Sequence, residues 1–173
     1  MASKTMKPLI FLAFAFALTT ALGCSRVDEP QATSGTGTAS QASTPKPKKL
    51  SWSKASAGNV AALVKAHMKK AEGEGRKPLV YVGGASCEPC RRFHHAAETG
   101  QLDDHFGDLA ILEFDAESDG ERLEPAGYTS TYIPLFVVPG ADGRATDRKM
   151  SGSIKGEGAV AEITPRLDQL LGR

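Results

Sequence analysis

Cysteine is scarce in this 173-residue chain: Cys24 stands near the N-terminus, Cys87 and Cys90 in the middle, and there is no other. Charge of one sign is missing too. Twenty-one Lys and Arg stand against 20 Asp and Glu, so the net charge of +1 points to no nucleic-acid partner. No internal repeat recurs, which leaves out repeat architectures. Nothing in the chain reads as a site for a nicotinamide or a flavin. No apolar run reaches the about 20 residues that span a bilayer. The longest, Pro8 to Leu22 (PLIFLAFAFALTTAL), is interrupted by Thr19 and Thr20.

That run follows Lys4 and Lys7, and a short basic segment before a short apolar one has the layout of a secretory leader. What comes next, ALGCS, resembles a bacterial lipobox, with Ala21 where leucine is usual and Leu22 one place late. The resemblance implies a leader over residues 1–23, with Cys24 lipidated and first in the mature chain. An ordinary leader or an uncleaved anchor, with Cys24 incidental, is the alternative. Each version puts the remainder outside the cytoplasm. Ser25 after the cysteine favours the outer membrane in a cell that has one. Residues 24–49 are rich in Gln, Ala, Thr, Ser, Gly and Pro, with no apolar periodicity. They cannot bury enough surface to offset the entropy of ordering, and they read as a flexible tether. The lysines of PKPKK at its end read as solvated, with weak attraction to anionic headgroups as the alternative.

Residues 50–173 are one domain's length of chain. Asn59 to Glu72 places Val60, Leu63, Val64, His67, Met68 and Ala71 on one helical face, and Asn59 suits an N-cap. Pro78 to Val82 is a short continuous apolar run, as in a strand buried on both faces. The cysteine pair follows at once. Arg91 to Thr99 reads as a helix stopped at Gly100, and QLDDHF as a further turn. Leu109 to Phe114 is a second buried strand, and Leu135 to Val138 a third after an approach segment from Gly127 to Ile133. PGADGR turns the chain so that Ala145 to Met150 pairs back as an edge strand. The last helix carries Val160, Ile163, Leu167, Leu170 and Leu171, with a kink expected at Pro165. The segment from Asp115 through AESDGERLEP reads as a solvated acidic loop. This order gives an α/β fold: a mixed central sheet flanked by helices, with Cys87 where the first buried strand meets its helix.

At this point residues 50–172 resemble the thioredoxin family. The matching motifs are Cys87-Glu88-Pro89-Cys90 at the strand–helix junction, Tyr132-Ile133-Pro134-Leu135-Phe136 as the family's cis-proline loop, and a closing hairpin and helix over Asp142 to Leu171. Trp52 and the run from Lys77 to Val82 are similar to an extracytoplasmic subgroup. The resemblance implies a thioredoxin-like fold and thiol–disulfide exchange. Cys87 is then the nucleophile, Cys90 the resolving thiol, and Pro134 with Ile133 and Tyr132 the edge that meets substrate. Isoleucine before the cis-proline leans toward reductants in the family. The Glu-Pro dipeptide resembles that of some reductases of cytochrome c assembly, but their central insertion is absent and their substrate is not carried over. Two positions depart from the pattern. Ser86 stands where tryptophan is usual, and Tyr81 stands where the family buries an aspartate that relays protons, a task left to water or Glu88.

The chemistry suits the spacing. The thiolate is the nucleophile, and a cysteine at a helix start feels the partial positive charge of free N–H groups. Pro89 stiffens the first turn. Arg91, with Arg92, His94 and His95, adds positive potential, whereas the Glu88 carboxylate opposes the thiolate. Together they suggest a reductant rather than a strong oxidant. A structural disulfide is the bland alternative, and a loop of two residues makes a poor staple. A metallochaperone binding a soft metal through Cys87, Cys90 and His94 is a sharper one. A disulfide oxidase or isomerase is the third. His67 and His105 read as partly buried or solvated rather than as ligands, and Tyr128 as core or groove. The expectation is an extracytoplasmic, membrane-anchored thiol–disulfide oxidoreductase without metal or cofactor beyond the Cys87–Cys90 disulfide. Its partners would be protein substrates and an upstream membrane thiol reductase.

Overall fold

The computed structural model describes residues Lys49–Arg173. The expected leader (1–23), Cys24 and all of the expected tether (24–49) but its last residue, Lys49, lie outside the described residues. Five strands make one sheet: β1 (Ser51–Lys54), β2 (Lys77–Gly83), β3 (Leu109–Asp115), β4 (Leu135–Pro139) and β5 (Ala145–Ser151), in the spatial order β1-β3-β2-β4-β5. β1 and β2 run parallel to β3, while β4 is antiparallel to both β2 and β5. This mixed sheet with helices on both faces is a thioredoxin-like fold.

The continuous apolar strands reflect burial on both faces. Along β2, Leu79 and Tyr81 point to one side, and Val80 and Val82 to the other. The first side packs α2 (Glu88–Glu98) and α5 (Ala159–Leu171) through Phe93, Ala96, Ile163 and Leu167, against Leu109, Ile111 and Phe136 of the sheet. The second packs α1 (Val60–Gly73) through Val60 and Val64 against Leu112, Phe114, Leu135 and Val137. Phe93 and Phe136 meet edge to face at 5.0 Å between centroids, and each such buried ring contributes about 1.5–3 kcal/mol of apolar burial. Asn59 caps α1 as expected, its carbonyl oxygen accepting from the Ala62 N–H at 3.0 Å.

One strand is new and two expectations change. SWSK is the strand β1, which adds to β3 by backbone pairing and closes that edge. The acidic segment is not a plain solvated loop. It holds a one-turn helix, α4 (Gly120–Leu123), and a 3-10 turn over Glu124–Ala126, because Leu123 and Ala126 insert into the second core. The Arg122 guanidinium holds this turn to Asp119 and to the carbonyls of Ser56 and Gly58. Finally, α2 starts at Glu88, three residues before the expected Arg91, which makes Cys87 its N-cap. α5 runs unbroken across Pro165, and QLDDHF yields the short α3 (Asp103–Phe106).

Candidate active site

The turn Gly84–Ser86 carries the chain from β2 to the first residue of α2. Cys87, at φ −86° and ψ 109°, is extended there, so its side chain can reach back over the first helical turn, where its Sγ accepts from the Cys90 N–H at 3.2 Å. Pro89 sits in that first turn, where a missing N–H costs no helix bond. Cys87 and Cys90 form a disulfide with Cα atoms 5.2 Å apart. The two sulfurs differ in surroundings. Cys87 is half-buried, whereas Cys90 is 2% exposed and packed among Phe93, Tyr81 and the inward face of the sheet.

Opposite Cys87 lies the loop before β4. Its Ile133–Pro134 bond is cis, and the Ile133 carbonyl oxygen stands 3.6 Å from Cys87 Sγ. In the disulfide that sulfur carries no proton; in the reduced protein the same carbonyl is the nearby acceptor for its S–H. Pro134 is buried, Ile133 is half-buried and packs on Gly84, and the Tyr132 ring stands 68% exposed beside them. The proline loop and the cysteines therefore meet as expected, with an open aromatic next to them. Tyr128 instead belongs to the core, its hydroxyl donating to the Gly143 carbonyl at 3.1 Å.

The charged residues around the pair are more engaged than sequence suggested. Arg92 donates to Glu88 at 2.9 Å, and this bond, ahead of the Gly156 N–H, holds the Glu88 carboxyl below the usual range despite some desolvation. Glu88 is thus a bound carboxylate that ties the loop before α5 to the start of α2, not a free base. Arg91 donates to the Ala85 carbonyl at 2.8 Å and braces the turn. His95 is exposed, and Ser86 Oγ donates to Glu117 at 2.6 Å.

Tyr81, in the inward row of β2, is fully buried, and its hydroxyl lies 3.5 Å from the Cys90 carbonyl. Burial first, then the Glu113 charge, pushes its phenol far above the ordinary value, so it stays neutral. The ring folds back over Gly83, where a side chain would overlap it. Two residues that sequence reasoning did not assign to the site, Glu113 and Trp52, stand beside it together with His94. Glu113 pairs with Tyr81 in the β2–β3 register. Its Oε2 accepts from Trp52 Nε1 at 2.8 Å and lies 3.5 Å from His94 Nε2. His94 Nδ1 lies 3.3 Å from Glu98, and its ring meets Trp52 edge to face at 5.0 Å. The signal for Glu113 was available in the sequence: in LAILEF it continues the inward apolar row Leu109, Ile111, where a carboxylate breaks the pattern. Its partners were not legible, since Trp52 lies 61 residues away.

A half-exposed sulfur at a helix N-cap, joined to a buried one a turn later, can be opened by an incoming thiolate or, when reduced, can open an incoming disulfide. No protein-family model matches the chain. None of the curated proteins matches its sequence either. In shape it is similar to a variant of the thioredoxin from Halobacterium salinarum, at 16% identity over 73% of this chain and 95% of that one, with a TM-score of 0.43. It is also similar to the short form of thioredoxin f from spinach chloroplast, at 17% identity over 72% and 92%, TM-score 0.42. A third such structure is the thioredoxin of Trypanosoma brucei brucei, at 11% identity over 61% and 85%, TM-score 0.36.

Proposed function

We propose that this chain is an extracytoplasmic thiol–disulfide oxidoreductase that reduces protein disulfides through Cys87 and Cys90. The observation that carries the reading is the asymmetry of the pair: Cys87 at the N-cap of α2, facing the Ile133–Pro134 edge, and Cys90 buried behind it. Cys87 attacks one sulfur of a substrate disulfide, the other leaves as a thiolate, and a mixed disulfide forms. Cys90 then attacks Cys87 Sγ, closing the pair and releasing the second substrate thiol. Two electrons pass to the substrate. The substrate backbone lies along the Ile133–Pro134 edge as an added strand, beside Tyr132. Restoring the dithiol falls to an upstream membrane thiol reductase, since the proposal includes no cofactor and no metal. The lipobox-like ALGCS supports a domain outside the cytoplasm, held to a membrane through Cys24.

The direction of electron flow rests on Glu88, a bound carboxylate at the first residue of α2 that disfavours a very stable Cys87 thiolate, and on isoleucine before Pro134. The expected reduction potential lies nearer thioredoxin's, about −270 mV, than the periplasmic oxidant's, about −120 mV. Equilibration of the Cys87–Cys90 couple against glutathione measures it. A value above about −150 mV would replace the reductase by an oxidase. Tight binding of a soft metal by the reduced protein, with little reduction of insulin, would replace it by a metal carrier.

A further inference from the structure

We infer that Glu113, positioned by Trp52 and His94, is the group that takes the proton from Cys90 when the mixed disulfide is resolved; this rests on the oxidoreductase reading above. The step needs such a group. Cys90 attacks as a thiolate, yet its sulfur is buried among apolar side chains, which disfavours the charged form. Left to solvent, deprotonation would limit the release of substrate.

A cleft of about 300 Å³ opens beside Cys90, and Glu113, His94 and Tyr81 line it with Cys90 itself. It has room for the water that carries a proton from sulfur to carboxylate. Glu113 is the group in that cleft whose surroundings suit the task. It stands in the inward row of β3, opposite Tyr81 and beneath α2, at a position the pattern reserves for an apolar side chain. Its side chain is 18% exposed, and the Trp52 N–H and the His94 ring hold one oxygen, Oε2. Among the described residues no hydrogen bond to Oε1 accompanies them. Tyr81 is unsuited, because burial keeps its phenol neutral. The remaining charged groups that face the cleft are Lys54 from β1, Arg91, His95 and Glu98 from α2, and Asp115 from β3. Of these, Arg91 is tied to the Ala85 carbonyl and Glu98 to His94.

The step balances without a further reagent. The Cys90 S–H gives its proton through one water to Glu113. The Cys90 thiolate then attacks Cys87 Sγ, the Cys87–Cys90 bond forms, and the bond to substrate breaks. The substrate sulfur leaves as a thiolate, and the Glu113 carboxyl returns its proton to that thiolate or to water.

Reaction of the reduced protein with dithiobis-nitrobenzoate separates the two steps. The first coloured thiolate appears when Cys87 attacks, the second when Cys90 resolves. In Glu113→Gln the first release should keep its rate, while the second slows about 10- to 100-fold near neutral pH. The deficit should shrink as pH rises and solvent takes over the proton. A second release at the unaltered rate, with an unaltered pH profile, overturns the inference. If Glu113→Gln does not fold, Trp52→Phe serves, since it keeps the ring and removes the N–H that orients the carboxylate. It should slow the second release several-fold and leave the first alone, and an unchanged second release again overturns the proposal. A folded wild-type protein that gives no first release overturns the oxidoreductase reading itself, an outcome separate from loss of the second release alone.

Discussion

Cys87 and Cys90 are one helical turn apart and chemically unequal. Cys87 Sγ meets solvent, the N–H groups that open α2 and the Ile133 carbonyl; Cys90 Sγ meets Phe93, Tyr81 and the sheet. A nucleophile must reach a substrate disulfide, and of the two sulfurs the half-buried Cys87 is the one placed to do so, Cys90 being 2% exposed. The second can only act on a sulfur already attached to the first. Replacing Cys90 by serine therefore leaves the attack intact and removes its resolution. Non-reducing gels of Cys90→Ser should show substrates held covalently on Cys87, at least about tenfold more than from wild type. Cys87→Ser should hold almost none. Equal trapping by the two variants would show the roles to be wrong, and trapping by neither would remove disulfide exchange from the reading. Tyr81 illustrates how one side chain alters its neighbours at this scale. Its ring fills the space beneath the pair, needs Gly83 for its own fit, and leaves proton chemistry to the next strand.

At the scale of elements, α1 is fastened to the sheet through more than its apolar stripe. His67 Nε2 donates to the Ala110 carbonyl of β3 at 3.0 Å. Burial, more than the nearby Lys70 charge, lowers its pKa below the ordinary 6.5, and the Ala110 bond only partly opposes this. The folded protein thus prefers His67 neutral. Above the ordinary value both folded and unfolded chains carry it neutral, and stability does not change on its account. As pH falls below about 6.5, the unfolded chain takes up a proton that the folded one resists, and stability declines until the folded value is passed. Urea midpoints of wild type should fall between pH 7 and pH 5, and His67→Gln should remove part of that slope while lowering stability at pH 7 by about 0.5–1.5 kcal/mol. An identical slope in the variant would refute the assignment. The elements also show what can be read from sequence. Strands β2, β3 and β4 were legible because each is an apolar run between turn signals, and α1, α2 and α5 because their stripes keep the helical period. β1 was not, since SWSK is four residues long and held by backbone bonds that leave no periodic trace. α4 was not, since one buried leucine in a polar turn carries no period at all. The site divided the same way. The Cys87–Cys90 pair was legible from local spacing and Pro134 from the family resemblance, whereas Trp52 and His94 join Glu113 only through the β1–β3 pairing and the docking of α2.

On the scale of the whole molecule, the proposed function sets the chemistry at one end of the sheet and the address in the sequence before it. Among the described residues no helix is long and apolar enough to cross a membrane. Attachment, in the proposed function, depends on Cys24. One acyl chain binds membranes only weakly, whereas the two signals of a lipoprotein anchor hold firmly. Changing Cys24 to serine takes away the attachment point and leaves the cysteine pair untouched. Cys24→Ser should appear in the soluble extracytoplasmic fraction or accumulate as an unprocessed precursor, while the purified protein reduces insulin at the wild-type rate. Membrane retention of a normally processed Cys24→Ser protein would show that something other than this cysteine holds the chain in place.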